Sequence, residues 1–281
     1  MKKLLSLTLA VLMLMTLMSC TPKKKTAYEI LSEAAEKMEK LDSFDMSTDI
    51  NIAMTTQGFT FEIPASIEIK ASGIQSDAPE AYVYIDLSYV GMTISFEVYV
   101  ADGYLYYAAM GTSGKVNLGD ISDENSNEST FDLDSYMEEY DNMLKVSLEE
   151  SVVQENEDGS KNVTYTIKKD QAISLIDKLI TEMTGEEAAE EVRETLNQIS
   201  DIKISQTVNK DGYISAGDME YAFAVEGVSG ADSVDLNLEF DMSLTLNNPG
   251  EPVEVTPMDG YESFEEVSPN EDMLEDFVPV M

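Results

Sequence analysis

The segment from residue 234 to residue 247 constrains the fold more than any other. Val234, Leu236, Leu238, Phe240, Met242, Leu244 and Leu246 alternate without exception with polar residues. A period of two puts one apolar and one polar row on opposite faces of a strand, and it fits no helix. A half-buried strand of this length needs neighbours on both edges and a cover for its apolar face. The chain supplies the neighbours. Phe44, Met46, Ile50, Ile52 and Met54 alternate in the same way, as do Phe59, Phe61, Ile63, Ala65, Ile67 and Ile69. Further strands are predicted at 81–89, 92–100, 104–110, 146–156, 161–168, 202–208 and 213–226.

Turn chemistry fixes part of the register. Val90-Gly91 and Asp102-Gly103 read as two-residue hairpin turns. The first puts Ala81, Val83, Ile85 and Leu87 on one face with Ile94, Phe96, Val98 and Val100, the predicted core face. The second sets Tyr99 against Tyr106 and Ala101 against Tyr104, so Tyr82, Tyr99, Tyr104 and Tyr106 gather on the opposite face. Glu157-Asp158-Gly159-Ser160 and Asp211-Gly212 close two later hairpins.

Elsewhere the period changes to that of a helix. Thr26-Ala27-Tyr28-Glu29 has capping-box spacing ahead of Ile30, Leu31, Ala34, Ala35, Met38 and Leu41, predicting a helix over 26–41. Leu133, Tyr136, Met137, Tyr140 and Leu144 form a second apolar stripe, and Ile173, Ile176, Leu179, Ile180 and Met183 a third. Ala189, Val192, Leu196 and Ile199 form a fourth, beyond Gly185. The economical arrangement is α+β: a curved antiparallel sheet with amphipathic helices packed on its apolar face.

Composition removes most chemistry. The 281 residues include no His, no Trp and a single Cys, with 17 basic and 55 acidic side chains. A serine therefore lacks its usual base, and no glycine-rich phosphate loop is present, so no catalytic residue, cofactor or metal is assigned and the protein reads as non-enzymatic. The net charge of -38 opposes nucleic-acid binding, which needs clustered Lys and Arg. In the loop 119–130, Asp120, Asp123, Glu124, Asn125, Asn127 and Glu128 offer oxygen ligands, but without an EF-hand's glycine and bidentate acid; a solvated loop is the expectation. From Pro249 onward come ten acids, no bases and five of the eight prolines, which predicts an extended or weakly docked tail tethered by Tyr261, Phe264 and Phe277.

The N-terminus carries an address. Lys2 and Lys3 precede an apolar run from Leu4 to Met18, broken only by Ser6, Thr8 and Thr16, which has the form of a signal peptide and is short for a membrane span. Leu17-Met18-Ser19-Cys20 resembles the bacterial lipobox. That resemblance implies cleavage before Cys20, diacylglycerol on its sulfur and anchoring to the extracytoplasmic face of the bacterial cell membrane. Lys23, Lys24 and Lys25 follow as a linker suited to anionic lipid. Losing Lys2 and Lys3 leaves 15 basic against 55 acidic side chains, a mature charge of -40. The expected divisions are a signal peptide over 1–19, a lipidated linker over 20–25, a folded domain over 26–248 and the acidic tail over 249–281.

A lipidated linker, one helix, a five-strand meander, a helix-containing insertion and a closing set of strands follow one another over residues 26–247. This order resembles the LolA-like and LppX-like bacterial lipoproteins, of the type common in Gram-positive bacteria. The resemblance implies a strongly curved antiparallel sheet, an unclosed half-barrel, and a lipoprotein that holds a lipid or other hydrophobic ligand between sheet and helices. On the predicted core face, Ile52, Phe61, Ile85, Phe96, Val98, Phe223, Leu238 and Phe240 are the candidates to line such a cavity. The same face suits a core closed by its helices, and Met46, Met54, Met92, Met219 and Met242 suit an adaptable lining or an adaptable core equally. With a closed core, the chain reads as an envelope interaction module that meets a protein partner through Tyr82, Tyr99, Tyr104 and Tyr106 or through the acidic tail; the same four tyrosines equally suit strand pairing, or cover by a helix or the tail.

Overall fold

A computed structural model describes residues 24–89, 91–119, 133–184, 193, 197–228 and 234–267. Helix α1 (Ala27–Met38) leads into strands β1 (Phe44–Thr56), β2 (Phe59–Ser72), β3 (Glu80–Tyr89), β4 (Met92–Ala101), β5 (Tyr104–Ala109) and β6 (Thr112–Asn117). Helix α2 (Leu133–Leu148), β7 (Val152–Glu155), β8 (Lys161–Ile167), helix α3 (Lys169–Thr184), β9 (Ile202–Val208), β10 (Ile214–Val228) and β11 (Val234–Asn247) follow. The protein is α+β, and its eleven strands form one antiparallel, curved and unclosed sheet in the order β6-β5-β4-β3-β2-β1-β11-β10-β9-β8-β7. Two meanders thus run outward from a central seam in which β1 pairs with β11, from Asp45 opposite Asn247 to Thr56 opposite Leu236.

The register makes one continuous apolar face. Ile52 stands opposite Phe240 and Ile63, and Ile85 opposite Ile67 and Phe96. Across the seam, Met219 stands opposite Met242 and Ile204, and Ile204 opposite Tyr165. The two hairpin registers read from the turns are the observed ones, with Tyr99 opposite Tyr106 and Val83 opposite Val98. Both residues of Asp102-Gly103 have positive φ, as the mirror-image turn of a tight hairpin requires.

Two elements differ from the expectation, and a third is largely untested. Met110-Gly111, also at positive φ, makes a further hairpin and adds the edge strand β6. Its sequence, TSGKVN, has no apolar alternation, because an edge strand is held by backbone pairing more than by side-chain burial. The strand expected from 146 begins only at Val152, since α2 continues to Leu148 and buries Met143, Ser147 and Leu148 on one side. The helix expected over 189–199 lies largely outside the described residues, and Ile199 at its end bridges Phe223. Residues 1–23, the acidic loop beyond Gly119 and Phe277 also lie outside the described residues.

Burial is concentrated in two places. On the apolar face, Ala27, Ile30, Leu31 and Ala34 of α1, Met143 and Leu148 of α2, and Ala172 and Leu175 of α3 cover Val163, Tyr165 and Ile167 of β8 and Val208 of β9. On the opposite face, Tyr99, Ala101 and Tyr106 pack beneath Val255 and Met258 of the tail. The tail is therefore firmly docked as far as residue 267, with Val255 6% and Met258 4% exposed. Its acidic composition conceals an apolar stripe of Val255, Met258, Tyr261 and Phe264 at intervals of about three residues. The Lys115 N–H donates to the Glu265 carbonyl and the Val267 N–H to the Lys115 carbonyl, both at 2.9 Å, so the tail also caps the β6 edge.

Burial under the tail pushes the Tyr99 phenol from 10.0 up to about 12. Tyr82 rises to about 12 as well, through burial first and then the hydrogen bond its hydroxyl donates to Glu97 at 3.0 Å. An unfolded phenol ionises near 10 while the folded one keeps its proton, so this stability is complete below about pH 10 and is lost as pH rises toward 12. Tyrosinate absorbance in that window should rise together with protease cleavage of the tail; one class of phenols titrating near 10 under a protected tail would contradict this packing.

Candidate functional site

A groove-like cavity of about 550 Å³, open to solvent along one side, lies between the C-terminal half of α1 and the floor made by β8 to β11. Ala35, Met38 and Glu39 of α1 and Tyr140 of α2 form its roof and sides, over Tyr165, Ile204, Met219, Met242, Leu244 and Leu246. Helix α1 is held in place at both ends. The capping box is complete, with the Glu29 N–H donating to Thr26 Oγ1 at 3.2 Å and the Thr26 N–H to Glu29 Oε2 at 2.7 Å. The Tyr28 hydroxyl donates to Asp141 of α2 at 2.8 Å, and Lys37 Nζ donates to the Asp211 carbonyl in the β9–β10 turn.

The floor opens because two neighbouring positions break the apolar row. In β9, Ile202, Ile204 and Val208 face inward with Gln206, and in β10 Gly217 stands directly opposite Gln206. Gly217 adds no side chain to the cavity it lines, and an added Cβ would meet only ordinary contacts, 3.7 Å from the Ser205 carbonyl and 3.9 Å from Gln206 Cγ. Gln206 Oε1 accepts from the Tyr165 hydroxyl at 3.3 Å, which satisfies both groups within an otherwise apolar wall. Burial raises the Tyr165 phenol well above its ordinary value, and also that of Tyr140, so both stay neutral hydrogen-bonding groups. The Glu39 carboxylate is at the exposed rim, whereas the Asp218 side chain alternates to the outer face of the sheet, where it accepts from Ser243 at 2.8 Å.

Chemically the site is an apolar surface carrying neutral hydrogen-bonding groups, Tyr140 and the Tyr165–Gln206 pair, with a carboxylate only at its rim. A depression of similar size, about 530 Å³, lies between the ends of α2 and α3, but Glu149, Glu150, Lys168 and Asp170 line it and their desolvation opposes an apolar ligand. Among the described residues, no group of three metal-ligating side chains is assembled.

The sequence-derived candidates distribute differently. Ile52, Phe61, Ile85, Phe96, Val98, Phe223, Leu238 and Phe240 do share the apolar face with the cavity floor, through the pairings of β1 to β4 and of β10 with β11. None of them lines this cavity, which lies farther along the sheet, under α1. Ile52, Ile85, Phe96 and Val98 are half-buried and Phe61 is 46% exposed, because the described helices cover β8 to β10 and not β1 to β4. The tyrosine face is covered. Tyr99 and Tyr106 are 2% and 7% exposed beneath the tail, and Tyr82 and Tyr104 are half-buried beside them. Cys20 lies outside the described residues. Tyr140, Tyr165, Gln206 and Gly217 were not anticipated as site residues, although a Gln and a Gly interrupting neighbouring apolar rows is a signal a sequence can carry.

Fold and cavity together define a class: an open antiparallel sheet whose first helix roofs an apolar chamber. The chain belongs to the family of unknown function DUF6612, whose model matches residues 26–257. That match ends within the docked tail and includes all three described helices and all eleven strands. No curated protein matches the chain. It is similar to the crystal structure of LprF from Mycobacterium bovis, with 13% identity and a TM-score of 0.39 over 82% of this chain and 96% of that one. It is also similar to a DUF1329 family protein from Desulfovibrio piger, with 12% identity and a TM-score of 0.26 over 83% of this chain and 95% of that one. Among the described residues, no helix is long and apolar enough to cross a membrane.

Proposed function

We propose that this protein is a bacterial lipoprotein, anchored outside the cell membrane through diacylglycerol on Cys20, that binds an apolar chain of a lipid or similar ligand in the α1 cavity and catalyses no reaction. The signal-peptide form of residues 1–19 and the lipobox-like Leu17-Met18-Ser19-Cys20 support the anchor. The cavity carries the binding reading. Its volume of about 550 Å³ is that of a small-molecule site, and its walls are mostly aliphatic and methionine side chains, with Tyr140 and the Tyr165 and Gln206 pair among them and Glu39 at the rim. Met38, Met219 and Met242 let such a wall adapt to chains of differing shape. The rival reading, a partner surface on the tyrosine face, loses support because Tyr99 and Tyr106 lie under the tail.

Native mass spectrometry of the mature chain tests the binding. Residues 20–281 carrying Cys20→Ser, purified without detergent, keep every described element, since α1 begins at Ala27. A bound mass of lipid size, removed by solvent extraction, is the expected result. A chain that stays ligand-free after incubation with total membrane lipid overturns the binding reading.

A further inference from the structure

The lysines of this acidic chain are not scattered evenly. Lys25, Lys37, Lys161 and Lys210 line one depression of about 230 Å³, together with the carboxylate-bearing Glu33 and Asp211. They come from the linker, α1, the start of β8 and the β9–β10 turn, so the tertiary fold gathers them. Four of the chain's 17 basic residues thus meet around one small concavity, in a protein of net charge -38. Lys25 pairs with Glu33, Lys37 stands 5.1 Å from the Tyr213 ring centroid, and Asp158 lies within electrostatic reach of Lys210. Exposed Lys24 adds a further positive charge at the point where the described chain begins.

We infer that this lysine-lined end is a membrane-docking surface, which seats on anionic phospholipid headgroups beside the anchor. Its place in the chain favours that partner. Lys25 is five residue steps beyond Cys20, and at about 3.5 Å each these span no more than about 18 Å. The anchor therefore holds this end of the domain close to the bilayer. With Glu33 and Asp211 among them, the four lysines leave two net positive charges in the depression, and each net charge brought near an anionic surface strengthens association about fivefold, while the remaining acidic surface is repelled, so the charge distribution also sets orientation. Helix α1 joins this surface to the cavity: Ala34 and Lys37 line the depression, and Ala35 and Met38 line the apolar chamber. A chain leaving the headgroup layer finds the chamber one helix away.

The inference rests on the anchoring part of the proposed function, and the test supplies that anchor chemically. Cys20 is the single cysteine, so the mature chain from residue 20 couples through one thiol to a maleimide lipid. Amide hydrogen exchange over 156–160 and 209–213 is then compared on phosphatidylglycerol-containing and pure phosphatidylcholine vesicles. Exchange should slow several-fold on the anionic vesicles and recover at high salt. Lys161→Glu with Lys210→Glu should abolish that protection; Lys168→Glu with Lys203→Glu, an equal charge change outside the depression, should retain it. Equal exchange on both vesicles, or equal loss in both double variants, overturns the inference. Protection produced on phosphatidylcholine by inorganic phosphate alone would make the depression a free-anion site and overturn it too. None of these failures alters the native mass spectrum, which reads the cavity separately.

Discussion

Gly217→Leu should weaken ligand binding more than a hundredfold and leave the ligand-free protein at least as stable as the parent. Gly217 lies in the cavity wall with room for a Cβ at 3.7 Å or more from its neighbours. A leucine there places four carbons where a ligand chain would run. At about 0.8 kcal/mol per buried methylene, displacing four of them costs about 3 kcal/mol, or over a hundredfold in affinity. In the empty protein the same substitution removes the conformational penalty of a glycine in a strand, about 0.5 to 1 kcal/mol, and buries apolar surface. The sign of the stability change separates a cavity from a closed core. If the site were already filled by protein atoms, the added side chain would overpack it and cost about 1 to 3 kcal/mol. Thermal melting of extracted protein and lipid titration check both halves; a lower Tm with unchanged lipid binding would refute the cavity.

Tyr99→Ala should cost about 3 to 5 kcal/mol, the usual result of deleting a large buried aromatic. Tyr99 is 2% exposed, with its ring centroid 5.8 Å from Tyr106 and 5.1 Å from Tyr261, the latter edge-on. Tyr261 stacks edge-on against Tyr106 as well, at 5.0 Å, so the loss of one ring loosens the contact that holds the tail. At about 2 to 4 °C per kcal/mol for a chain of this size, Tm should fall by about 10 °C. Tail release should come first, because the backbone of the docked segment over 255–267 pairs with the sheet only at Lys115 of the β6 edge among the described residues. Limited proteolysis beyond Asn248 therefore becomes faster in the variant. Tyr104→Ala, at a half-buried ring beside Lys115, is the control and should cost about 1 kcal/mol. A Tyr99→Ala protein with a parental Tm and a protected tail would show that the tail does not depend on this cluster.

The two tyrosine results illustrate how far local sequence reaches. Asp102-Gly103 adopts the positive φ pair its residues favour, and that turn alone sets Tyr99 opposite Tyr106. Whether that face meets water, a partner or the chain's own tail is a matter of residues about 150 positions later, and no local period encodes it. Composition misled in part in the same region: Tyr261 and Phe264 are legible as tethers, but ten acids obscure Val255 and Met258, the two that become buried. In α2, the continuing stripe through Met143, Ser147 and Leu148 outweighed the strand-like Val146. The eight cavity candidates were placed on the correct face by their alternation, yet a face that runs across eleven strands does not say where a helix crosses it.

From the sequence alone come the antiparallel strands, their two-sided pattern, the tight hairpins and the capped first helix, because each depends on side-chain period or turn geometry within a few residues. Tertiary structure alone decided four things: the seam of β1 with β11, the tail over the tyrosines, the chamber under α1 and the gathering of four lysines at one end. Each of these joins residues far apart in the chain, and the free energy that selects such pairings comes from burying whole faces against one another, which no single segment contains.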